Sequence, residues 1–153
     1  EGQVVTFADA RKTLEVYLYA NWSATEIAWQ NADALDPDTA GMNYLREGQN
    51  SFISADIFVH TSQTITVPGS CIRYPGTLEF AVFSKEGTGT REAAGHIDAL
   101  IALFENQTLI SPDTGDRIRV RNITTTNTYT TTAGWFVSLI GFSFYFNRYV
   151  ANP

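Results

Sequence analysis

Two histidines, one cysteine and a glycine-rich turn are the residues whose chemistry could reach beyond packing. His60 ends an alternating stretch and His96 lies inside a helical pattern. Neither has a second histidine four residues away, the spacing that brings two imidazoles onto one metal. Cys71 is alone, so it can form no intrachain disulfide and belongs to no cysteine cluster that could hold a metal. It reads as a small residue near a strand start rather than a reactive thiol. Gly87-Thr88-Gly89-Thr90 precedes a helical pattern, where backbone N–H groups could cradle a phosphate. It lacks the Walker lysine and does not fit G-x-G-x-x-G, so it reads as a helix-entry turn. Asp33, Asp36 and Asp38 surround Pro37 in turn chemistry, without the spacing, glycine and terminal glutamate of a calcium loop. There is no G-x-S-x-G elbow, and a Ser/His/Asp set can be composed from any chain this rich in Ser and Asp. No catalytic residue, metal-ligand set or cofactor motif is read from the chain.

A different kind of cluster is present. Arg117, Arg119 and Arg121 alternate with Ile118 and Val120, which puts three guanidinium groups on one face of a strand. The plainer reading, and the favoured one, is a solvated face paired with nearby acids. The functional reading is a subunit contact or a surface facing an acidic partner. Around this cluster the chain is acidic, with net charge −6 and a pI of about 4.7. That balance argues against tight non-specific binding to nucleic acid, which needs a basic footprint. It does not forbid DNA passing close by.

The elements that position these residues follow from hydrophobic period. The chain of 153 residues, 44% hydrophobic, is read as a single domain spanning 1–153. Its centre is the stretch from Arg73 to Leu109. Leu78, Phe80 and Val82 alternate with Thr77, Glu79 and Ala81, as on a pleated strand. Ala94, Ile97, Leu100, Ile101 and Phe104 then fall at helical spacing. Burying the four large ones is worth about 1.5–3 kcal/mol each before entropy. A helix this amphipathic needs a sheet to lie on.

Before this centre, Thr6 and Asp9 approach a capping box, and Phe7, Ala10, Leu14, Tyr17 and Leu18 form a helical stripe to about Ala20. Ile27 to Trp29 reads as a short strand. Phe52 to Val59 alternates, and Gln63 to Val67 continues or restarts that strand. Pro68-Gly69 and Pro75-Gly76 are turn signals, which predict a hairpin-like excursion around Cys71 to Tyr74. After the central helix, Ser111 to Gly115 is a turn. The Thr-rich run 124–132 suits a hairpin arm or strand edge, with Asn127 fitting a turn. The stretch after Gly134 is apolar on both faces, so it is either central in the sheet or meets another subunit. The expected fold is α+β: an antiparallel β-sheet with two main helices packed on one face. No run of about 18 apolar residues predicts a membrane span. The first residues lack a basic-then-apolar signal pattern, so the sequons at Asn21, Asn106 and Asn122 read as chance.

Several stretches resemble the tail terminator (tail completion) proteins of long-tailed phages. They are Pro75-Gly76-Thr77-Leu78-Glu79-Phe80-Ala81-Val82-Phe83, then Gly87-Thr88-Gly89-Thr90 with its Ala/Ile/Leu helix, then Ile27-Ala28-Trp29-Gln30-Asn31, and the Gly134-Trp135 opening of an aromatic last strand. The resemblance covers most of the chain in order; residues 33–51 and 124–132 depart from it. It implies a sheet flanked by helices and a homo-oligomer, a hexameric ring. That ring would cap the last ring of tail tube protein, stop polymerisation and present a surface to the neck or connector. The genomic DNA would pass through its lumen without specific binding. It implies a place in the virion, a subunit made in the host bacterial cytoplasm, no membrane and no cofactor. Candidate contacts in such an assembly are Arg117, Arg119 and Arg121, Tyr129 on the Thr-rich arm, and Tyr44 and Leu45 in the irregular loop. The other readings are another head–tail connector or tube-like subunit, a small binding module using Trp22, Trp29 or Tyr74, and an enzyme built on His60 or His96.

Overall fold

A computed structural model describes residues 6–29, 50–60, 63–64, 71–85, 87, 91–132 and 135–149, leaving aside the side chains of 63, 64, 71, 125, 127–132 and 149. The elements in order are α1 (Phe7–Asn21), β1 (Glu26–Trp29), β2 (Ser51–Val59), β3 (Gln63–Thr64), β4 (Cys71–Lys85), α2 (Arg91–Phe104), β5 (Thr108–Ile110), β6 (Arg117–Thr132) and β7 (Trp135–Tyr149).

Helix α1 begins where its first free N–H groups find a side chain. Thr6 accepts from the Asp9 N–H while Asp9 accepts from the Thr6 N–H, a full capping box. Ala10, Leu14 and Leu18 are buried from this helix, and Ala93, Leu100 and Phe104 from α2. The second stripe therefore starts at Ala93, not at Ala94, which is exposed. Both helices share one cluster with Ile53 and Ala55 of β2, Leu78 and Phe80 of β4, and the phenylalanines of β7. They lie on one face of the sheet, as expected.

The strand order is β1-β2-β4-β7-β6-β5, with β3 paired separately to β4. The sheet is mixed rather than purely antiparallel, because β1 runs parallel to β2. A parallel neighbour requires a long connection in place of a hairpin, and the residues between Trp29 and Ser51 are enough for one. Strand β7 lies between β4 and β6. Of the two readings for this two-faced apolar strand, the central position is the one observed. Phe142 and Phe146 are fully buried on the helix face, and Trp135 and Val137 are buried on the other.

Two turn expectations fail, for related reasons. Pro75-Gly76 lies inside β4, which pairs with β7 without a break from Cys71↔Tyr149 to Lys85↔Trp135. The Pro75 carbonyl accepts the His60 N–H at 2.8 Å, so its missing donor faces the place where β2 ends and β3 has not yet begun. Gly76 is there because the Phe144 ring presses on its backbone: a Cβ would stand 2.3 Å from Phe144 Cζ. Asn127 likewise sits in β6, opposite Leu139. The remaining turn signal of this group, Pro68-Gly69, lies outside the described residues.

Strand β5 has no counterpart in the sequence reading. It follows Asn106, whose φ of 55° is the left-handed region that asparagine tolerates. Its three residues pair with Arg117 to Arg119.

Candidate functional site

Pleating sends alternate residues of each strand to opposite faces, and the face away from the helices has two unlike ends. One end is dry. Phe52 stacks on Phe83 at 4.7 Å and meets Trp135 edge-on at 5.2 Å, with Ala28 and Val137 also buried there.

The other end is polar. Strand β6 turns Ile118 and Val120 into the core at zero exposure, which leaves Arg117, Arg119 and Arg121 on the outer face, Arg117 exposed and the other two half-buried. The register then adds residues from two further strands. Arg119 stands opposite Tyr145 of β7, and Arg73 of β4 stands opposite Asn147. The Arg73 guanidinium carbon lies 3.9 Å above the centre of the Tyr145 ring, and that of Arg121 lies 5.6 Å from it. Arg73 Nε donates to Asn147 Oδ1 at 3.1 Å, and Arg121 Nη2 approaches the Tyr145 hydroxyl at 3.5 Å. Among the described residues, none of these arginines forms an ion pair. The guanidinium groups gather on an aromatic ring, where stacking and cation–π attraction hold them. The expected pairing with nearby acids is not what organises this face.

The sequence reading missed Arg73 and Tyr145. Each looks like an ordinary strand residue until β4, β7 and β6 are set in register. The signal was the arginine at the outward position of β4, but its distance in sequence from Arg117 hid it.

The cluster has an electrostatic signature. The Tyr145 hydroxyl is held below the ordinary value near ten, first by the Arg121 hydrogen bond and then by the fields of Arg121, Arg73 and Arg119, with burial opposing. A phenol with a depressed folded pKa adds stability above its unfolded value, and loses it as pH falls through the folded one. Nothing is contributed at neutral pH. An ultraviolet difference titration is expected to show one tyrosine ionising early in the alkaline range. Arg121→Ala should move it back toward ten, and an unchanged titration would remove Arg121 as the cause.

The remaining candidates scatter. Tyr129 is on β6 opposite Val137, with its side chain outside the described residues. Tyr44 and Leu45 also lie outside them. His60 Nε2 is 2.9 Å from Thr77 Oγ1 at the end of β2. His96 packs edge-on against Trp22 on the helix side, and its Nε2 is buried without a hydrogen bond. Burial lowers the His96 pKa, with Glu92 opposing. The two histidines are thus on different layers. Among the described residues no three His, Cys, Asp or Glu side chains converge. No helix among them is long and apolar enough to cross a membrane.

Of the aromatics considered for a binding module, Trp22 is 6% exposed and donates from its indole to Thr25 Oγ1. Tyr74 is stacked on Phe146. Trp29 borders a shallow cleft of about 360 Å³ that it shares with Val16, Tyr19 and Ala20 of α1.

Comparison with known proteins adds three findings. A family model described as phage tail terminator protein matches residues 9–141, from the first turn of α1 into β7. No curated protein is significantly similar to the chain. Among the solved structures that match is one at 23% identity, covering 95% of this chain and 94% of its own, with a TM-score of 0.61. At that identity the likeness concerns the fold alone.

Proposed function

Since this chain belongs to the phage tail terminator family, we propose that it closes the end of the tail tube as a ring, stops tube polymerisation and joins the tail to the head through the neck. Membership makes it a structural protein of the phage tail, located in the virion tail. The ring, its six copies and its neighbours are the further step. The observation that carries this reading is the family match over both helices and into the central strand. The acidic balance supports a lumen through which DNA slides rather than sticks. Arg117, Arg119 and Arg121 are the proposed contacts to a neighbouring subunit. Tyr129 is proposed to dock on a partner, and the loop holding Tyr44 and Leu45 to face tube or neck. A heterologous contact of this kind gives a ring if the rotation closes.

Light scattering followed by negative-stain imaging tests the proposal, with the protein alone and with growing tail tubes. The expected result is a closed ring of six that sits on tube ends and halts their growth. Unlimited stacking would favour a tube-like subunit. A monomer that ignores tubes would overturn the reading.

A further inference from the structure

The arginine cluster has an acidic counterpart on the same sheet face. Asp56 of β2 and Glu79 of β4 are direct cross-strand partners, at positions that alternate with the core-facing Ala55, Ile57, Leu78 and Phe80. Like charges placed opposite one another on a sheet repel. Neither carboxylate forms an ion pair among the described residues. Asp56 is raised by burial and lowered by the field of Arg11, but Arg11 is itself bonded to Glu15 at 3.4 Å. Glu79 stands opposite Gly141 of β7, which adds no side chain to screen it.

Gly141 is four residues from Tyr145 along β7, so the acidic pair and the arginine cluster are about 13 Å apart along the strand. Among the described residues no ion pair bridges the two. One face thus carries two patches of opposite sign, each repelling itself and neither ion-paired among the described residues. Four of the chain's ten cationic side chains are gathered in one of them, against sixteen carboxylates in the chain.

We propose that the polar end of this face is a contact between two copies of the chain, with Asp56 and Glu79 of one copy set against Arg73, Arg119 and Arg121 of the next. The inference rests on the tail-terminator reading, because it names the chemistry of the self-assembly that reading requires. Each copy then offers its acidic pair to one neighbour and its arginine cluster to the other, the heterologous kind of contact that a ring needs. Sliding the copies until like patches overlap doubles the repulsion, so charge sets the register of the contact. A nucleic acid laid over the arginines would meet the acidic pair on the same surface, which makes it the poorer occupant.

The test uses the full chain and two double variants, Asp56→Lys with Glu79→Lys and Arg119→Glu with Arg121→Glu. Folding is checked by circular dichroism and thermal melting, and association by sedimentation velocity at about 0.05 M and about 0.5 M salt. Each variant alone should associate about tenfold more weakly than the parent, or not at all. An equimolar mixture should recover assembly, because every contact between unlike copies is again complementary. The parent contact should weaken with salt. If a charge reversal fails to fold, the neutral set Asp56→Asn, Glu79→Gln, Arg119→Gln and Arg121→Gln replaces it, and should abolish the salt dependence.

Variants that assemble as the parent does would overturn the contact, as would a folded mixture that stays dissociated. So would loss of oligonucleotide binding by the arginine variant with self-association intact. A parent chain that associates neither alone nor on tail tubes would instead sink the tail-terminator reading.

Discussion

Phe104→Ala should destabilise the protein by about 3–5 kcal/mol, the range for emptying a large aromatic site in a packed core. Phe104 is fully buried at the last residue of α2. Its ring centre lies 5.1 Å from Phe80, 5.9 Å from Phe142 and 5.3 Å from Tyr17. It therefore joins β4, β7 and both helices at one point. The Tyr17 hydroxyl donates to the Leu103 carbonyl at 2.8 Å, which holds α1 against this end of α2. The surrounding strands are fixed by their ladders and cannot collapse into the space. Small domains are stable by only about 5–15 kcal/mol, so much of the total is at stake. Urea unfolding measures it. A loss under about 1 kcal/mol would mean that the site closes up on truncation and that the strands around it are not rigid.

Gly76→Ala should be nearly as damaging, for the opposite reason. The added methyl would stand 2.3 Å and 2.7 Å from two Phe144 ring atoms and 2.5 Å from the Phe58 carbonyl oxygen. The ring could give way by leaving its rotamer, but the carbonyl belongs to the β2–β4 ladder, where Phe58 pairs with Thr77. Overpacking costs about 1–3 kcal/mol, occasionally more, and a backbone obstacle places this case at about 3 kcal/mol. Adding Phe144→Leu should recover part of the loss, since it removes only the ring clash. Gly95→Ala is the control. Gly95 is inside α2 with nothing within 4 Å of the added carbon, so that change should stabilise by about 0.5–1 kcal/mol. If both glycines behaved alike, the close approach at Gly76 would be refuted.

These residues also show where sequence reading succeeds and where it stops. The capping box at Thr6 and Asp9 was legible because both of its bonds span only three residues. Ile118 and Val120 were legible because a strand with one dry face alternates. The last strand was recognisable as two-faced, although its place in the sheet was not. Pro75-Gly76 misled because the dipeptide's local chemistry favours a turn, while the Phe144 ring and the end of β2 call for that same pair in an extended strand. At Asn127, the long β7 opposite keeps its partner extended through a turn-forming residue. Strand β5 is too short to have a period, and pairing with β6 alone defines it. The parallel β1–β2 pair depends on how a long connection runs, which no local pattern records. At the candidate site, three arginines stood in one stretch of sequence. Arg73, Tyr145, Asp56 and Glu79 joined the picture only through register.

The position of β7 governs when this molecule can fold. It follows both of its partners in sequence, pairing with β4 along all fifteen of its residues and with β6 on its other side. Strand β4 ends some fifty residues before β7 begins. Until β7 is made, one edge of β4 is bare and the core lacks Phe142, Phe144 and Phe146. Of the two pairings of β7 only that with β6 is local, so the distant β4 docks afterwards in a slow, entropy-limited step. The sheet therefore cannot be completed before β7 is available. A truncated chain would present neither the arginine patch nor the acidic pair in register, so an unfinished subunit could not join an assembly built on those contacts.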